Sequence, residues 1–71
     1  EYITARNSGN NTLITFKAAS VEGENQITVQ YQMKDGSMKK HAISLPSEIK
    51  AGDIWMITIN NITNTYTAKK L

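Results

Sequence analysis

The chain has no cysteine, which excludes disulfides and thiolate metal sites alike. It has one histidine, His41, and no second ligand or nucleophile at a spacing that would give it a metal or a proton to handle. Glycines are few and stand apart, at 9, 23, 36 and 52. Each marks a turn, and none belongs to a glycine-rich phosphate loop. The single proline, Pro46, stops a strand. No apolar run approaches the roughly 20 residues a spanning helix needs, so no membrane span is expected. No charged-then-apolar leader occurs within these residues. A chain that starts at Glu1 reads as a piece excised from a longer protein.

Acids are also scarce, six in 71 residues. Carboxylate catalysis needs a converging pair with separated proton affinities, and no such pair is visible. Glu22 and Glu24 fall in a glycine-containing loop. Asp35 and Asp53 fall in turns, where aspartate caps backbone N–H groups. Glu22, Glu24 and Asn25 fall well short of a calcium shell of six to eight oxygens. No catalytic residue, cofactor or metal is therefore assigned. The shortage of acids, more than any wealth of lysine, sets the net charge of +2 and the isoelectric point near 9.1. That balance permits weak attraction to polyanions without demanding it.

What is present is a β pattern. A chain of this length is one domain and buries only about 60% of its extended surface. Without disulfides it relies on a packed sheet core, on self-association or on a larger parent protein. Asparagine (7) and threonine (8) are frequent. They suit turns and exposed strands, and they tilt the localisation toward secreted, surface or phage-encoded proteins. In so Asn- and Thr-rich a chain, the glycosylation patterns Asn10-Asn11-Thr12 and Asn61-Ile62-Thr63 are expected by chance.

The clearest alternation is Gln26-Ile27-Thr28-Val29-Gln30-Tyr31-Gln32-Met33. A period of two puts Ile27, Val29, Tyr31 and Met33 on one face of a half-buried antiparallel strand. Asp35-Gly36 follows, a strong hairpin signal, and 38–45 returns as the partner. A two-residue turn would pair Val29 with Ala42. A three-residue loop with Gly36 in the left-handed region would pair Val29 with His41 and Ile27 with Ile43. The second register keeps Ile43 and Leu45 inside and is preferred. Further strands are expected over 2–6, 12–18 (Ile14, Phe16 and Ala18 inward), 54–59 and 65–71. Residues 7–11, 22–25 and 60–64 are turns, and 47–53 is a connection with room for one short helical turn. Ile54-Trp55-Met56-Ile57 is apolar on both faces, which predicts a central strand covered on both sides.

The expected fold is thus all-β. It is a small single-domain antiparallel barrel of five to six strands over 1–71, OB-like or SH3-like, with a small open β-sandwich as the alternative. Three local likenesses run through 35–59. Asp35-Gly36 and Gly52-Asp53 resemble the later strands of small nucleic-acid-binding barrels. Leu45-Pro46-Ser47-Glu48-Ile49 with Gly52-Asp53 resembles swapped-hairpin DNA-binding folds. Ile49-Lys50-Ala51-Gly52 with Ile57-Thr58-Ile59 is similar to the closing strands of fimbrillin-like surface proteins. Each covers under half the chain and spells mainly a turn before a strand, so no family is assigned.

The surface of most interest is the hairpin. Lys34, Lys39, Lys40 and His41 make it basic, and Gln30 and Gln32 extend a nearly uncharged polar row with Gln26 and Thr28. Arg6, Lys17, Lys69 and Lys70 lie on other strands. Tyr2, Phe16, Tyr31, Trp55 and Tyr66 are the aromatics available for stacking, though Tyr31 and Trp55 sit in apolar patterns that suit a core. The expected function is a non-enzymatic binding or assembly module with a protein partner or a second copy. The alternative is an OB-like barrel that binds single-stranded nucleic acid through the basic hairpin.

Overall fold

The computed structural model describes residues 2–18 and 25–71, without the side chains of Tyr2 and Ile3. The expected loop through Glu22, Gly23 and Glu24 lies outside the described residues, as do Glu1 and the Tyr2 side chain. Six strands of near-equal length follow in order: β1 (Tyr2–Ser8), β2 (Asn11–Lys17), β3 (Gln26–Gln32), β4 (Met38–Ser44), β5 (Ile54–Asn60) and β6 (Thr65–Lys70). All pairings are antiparallel. They form two sheets, one of four strands in the order β1-β2-β5-β6 and one of two, β3-β4. The expected all-β, antiparallel, six-strand character is therefore seen. Among the described residues no backbone ladder joins the two sheets into a closed barrel.

Alternation decides what is inside. On β2 the buried residues are Thr12, Ile14 and Phe16; on β5 they are Trp55, Ile57 and Ile59. Cross-strand register stacks them as Thr12–Ile59, Ile14–Ile57 and Phe16–Trp55, so two rows of side chains share one face. The hairpin lays Val29, Tyr31 and Ile43 against that face, and Leu45 and Ile49 close the cluster from the 45–53 connection. Burying each large apolar side chain contributes about 1.5–3 kcal/mol before chain entropy is charged. Ile27, Val29, Tyr31 and Met33 do turn inward together, the two outermost being half-buried.

The hairpin adopts the three-residue-loop register, with Ile27 opposite Ile43 and Val29 opposite His41. Gly36 has φ of 91°, a left-handed conformation that side chains resist. Its N–H donates to the Met33 carbonyl (3.0 Å), and the Met33 N–H donates to the Ser37 carbonyl (2.7 Å). Both aspartates cap as expected. Asp35 Oδ1 accepts from the Ser37 N–H and hydroxyl (2.9 and 2.6 Å), and Asp53 Oδ2 accepts from the Lys50 N–H (2.9 Å).

Two expectations are corrected. The 47–53 connection holds no helical turn. It runs as bends and one turn at Ala51-Gly52, because Ile49 is drawn fully into the core and Gly52 takes φ of 90°. And β5, though central in its sheet, is covered on one face only. Ile54 and Met56 are 36% and 39% exposed, because the hairpin packs on the other side.

The two sheets are joined at their seams by side chains instead of a ladder. The Tyr66 hydroxyl accepts from the Ser44 N–H (2.9 Å) and links β6 to β4. At the other seam Asn7 Nδ2 donates to the Gln32 carbonyl (3.2 Å), which links β1 to β3. Behind Asn7 runs a polar clasp. The buried Thr12 hydroxyl donates to Asn7 Oδ1 (2.9 Å) and accepts from Asn61 Nδ2 (2.8 Å). The Tyr31 hydroxyl donates to Asn61 Oδ1 (3.5 Å). Burial pushes the Tyr31 phenol above its ordinary value, because the ionised form would lose its water.

Candidate functional site

The six hairpin residues do not form one patch. Strand alternation sends Lys40, Gln30 and Gln32 to the outward face, where Lys40 stands opposite Gln30 and Gln32 opposite Met38. Lys39 and His41 belong to the other face and are half-buried at its margin, in register with Tyr31 and Val29. Lys34 is exposed in the loop. Gln32 also turns inward on the loop, donating from Nε2 to the Gly36 carbonyl (3.2 Å). The period of two that defines the strand thus places Lys39 and Lys40 on opposite faces.

His41 stands edge-on to the Tyr66 ring, with centroids 5.3 Å apart and planes at 81°. Its Nδ1 lies 3.1 Å from the Ala42 carbonyl. Its Nε2 is buried with no partner among the described residues, as is Trp55 Nε1. The ring contact joins β4 to β6 beside the Tyr66–Ser44 bond. Phe16, Tyr31 and Trp55 are buried in the core, and Tyr66 is half-buried at the seam. Among the described residues no group of three His, Cys, Asp or Glu side chains is placed to hold a metal ion. No helix there is long and apolar enough to cross a membrane.

Two other surfaces come into view. The first is the outer face of the four-stranded sheet. Register brings Leu13, Thr15, Ile54 and Met56 into its middle, with Arg6, Lys17 and Lys69 around them. A hollow of about 170 Å³ between Thr4, Arg6, Leu13, Thr15 and Met56 opens onto this face. No acid occupies it among the described strand positions. The apolar face of β5 in the sequence signals this surface, once it is known that only one layer covers the strand.

The second is a cleft of about 520 Å³ at the end where all three hairpins turn. Lys34 and Lys39 line it together with Asn7, Asn10, Met33 and Ile62. Two of the six hairpin residues thus meet here, joined by groups from β1 and from the β1–β2 and β5–β6 turns. Sequence reading gives no sign of this, because the lining is scattered from 7 to 62. Compared with protein-family models, with curated proteins and with solved structures, the chain matches none.

Proposed function

We propose that this domain is a non-enzymatic binding or assembly module that docks a protein partner on the outer face of its four-stranded sheet. One observation carries the reading: Ile54 and Met56 stand about two-fifths exposed on an inner strand of that sheet, and Met56 borders a hollow. Apolar side chains in the middle of a sheet, rimmed by charge, are a usual composition for an interface. The rim is basic, through Arg6, Lys17 and Lys69. The partner therefore carries an apolar centre with acidic residues around it. Two copies meeting face to face would oppose bases with bases, which favours a different chain over a second copy.

The test is peptide display against the wild type and an Ile54→Lys/Met56→Lys variant of unchanged fold by circular dichroism. Peptides with an apolar centre and acidic flanks are expected to enrich on the wild type alone. Equal enrichment on both, or none on either, would overturn the reading. Light scattering of the protein alone should give a monomer at low and high salt; a dimer abolished by the same substitutions would point to self-association instead. Labelled single-stranded DNA and RNA, titrated at two salt concentrations with and without Lys39→Ala/Lys40→Ala, test the nucleic-acid alternative through the salt slope.

A further inference from the structure

From the cleft at the turn end we infer a second site, one that takes a tetrahedral oxyanion (a phosphate or sulfate ester) carried on a small organic group. The cleft's volume of about 520 Å³ lies within the range of small-ligand sites. Its walls are held before any ligand arrives. Asn60 Oδ1 accepts from the Ile62 and Thr63 N–H groups (2.9 and 3.2 Å), which fixes the β5–β6 turn. The Asn61 N–H donates to the Asn10 carbonyl (2.9 Å) and ties that turn to the β1–β2 turn. The Asn7–Thr12–Asn61 clasp lies behind, and the Asp35–Ser37 bonds fix the third loop. Such preorganisation lowers the ordering cost of binding.

The charge then selects the ligand. Lys34 and Lys39 both line the cleft, one from the loop and one from β4. Among the described residues Asp35 is the only acid in the lining, and its Oδ1 is taken by the Ser37 N–H and hydroxyl. Those donors also hold the Asp35 carboxyl below its ordinary value, so it stays ionised and turned to its own loop. Two ammonium groups against one carboxylate leave the lining a net positive charge, and lysine binds phosphate as a point charge. Ile62, at the tip of its turn, is 73% exposed, and Met33 is half-buried nearby in the same lining. They offer the ligand's organic portion an apolar contact. The site is distinct from the outer-face reading and does not depend on it.

The experiment is an amide-shift titration of the full chain with inorganic phosphate, inorganic sulfate, phenyl phosphate and benzoate. Saturable shifts are expected at Asn10, Lys34, Ser37 and Ile62, with phenyl phosphate the tightest. Lys34→Ala and Lys39→Ala should each weaken it about fivefold, the weight of one close charge pair screened as in bulk water. Lys40→Ala removes the same charge from the opposite face of the strand and should change little. Ile62→Ser should erase the advantage of phenyl phosphate over phosphate. Benzoate binding as tightly as phenyl phosphate would overturn the tetrahedral preference. Absence of saturable shifts, or equal losses from Lys40→Ala and Lys39→Ala, would overturn the site.

Discussion

Replacing Thr12 with valine removes one hydroxyl from the middle of the clasp and keeps the side chain's shape. The position is 1% exposed, so no water takes the hydroxyl's place. Two hydrogen bonds go, one to Asn7 Oδ1 at 2.9 Å and one from Asn61 Nδ2 at 2.8 Å. A net hydrogen bond is worth about 1 kcal/mol, and an orphaned buried group costs more. Asn7 and Asn61 are half-buried and recover part of their hydration, so a loss of about 2 kcal/mol is expected for Thr12→Val. For a domain of this size that lowers Tm by about 8–16 °C. Thermal and urea unfolding of Thr12→Val and Thr12→Ser give the comparison. Serine keeps the hydroxyl and loses one methyl group, at about 1 kcal/mol, and should be the milder change. A cycle with Tyr31→Phe should show coupling of about 0.5 kcal/mol or more, because Tyr31 reaches the same Asn61. A Thr12→Val protein within about 0.5 kcal/mol of the parent, or less damaged than Thr12→Ser, would refute the clasp as a stabilising element.

Gly36→Ala should lower stability by about 1–2 kcal/mol through backbone strain alone, since the added methyl meets only Gln32 Nε2 at 4.0 Å while φ is 91°; urea midpoints check this. Ile57→Ala, at a fully buried site beneath the hairpin, should lose about 2–5 kcal/mol, read as a lower Tm by circular dichroism. Asp35 has a lowered folded pKa, so its contribution is full above the unfolded value near about 4 and is lost as pH falls through the folded one; the acid limb of a Tm–pH curve should flatten in Asp35→Asn. Tyr31 has a raised one, so its contribution is full below the unfolded value near about 10 and is lost as pH rises through the folded one; Tyr31→Phe should blunt the alkaline limb of the same curve.

The strands are legible in the sequence because alternation is a local property. Val29 and Tyr31, like Ile14 and Phe16, carry their own inward direction, and Asp35-Gly36 fixes the loop length that sets Ile27 against Ile43. What lies between strands is not local. The pairing of β2 with β5, which makes a four-stranded sheet and leaves β3-β4 apart, is written in no neighbouring residues. The clasp joins positions 7, 12, 31 and 61 across such pairings, so its members look like ordinary turn and strand residues until the sheets are assembled. The solvent face of β5 misleads for the same reason: an apolar run records what a side chain prefers, and only the number of layers decides what it gets. For the cleft, Lys34 and Lys39 are visible in the sequence, but their separation from Lys40 follows only when alternation is carried through to the surface.

Three of the four ladders connect consecutive strands across short turns, and one, β2 with β5, must bring Lys17 to Ile54. Short hairpins close within microseconds, whereas the long closure spends chain entropy before any contact offsets it. The zipping of β2 onto β5 is then expected to set the time taken to reach the native state. Substitutions at Ile14 or Ile57 should slow refolding, while loop changes such as that at Gly36 should act chiefly by hastening unfolding.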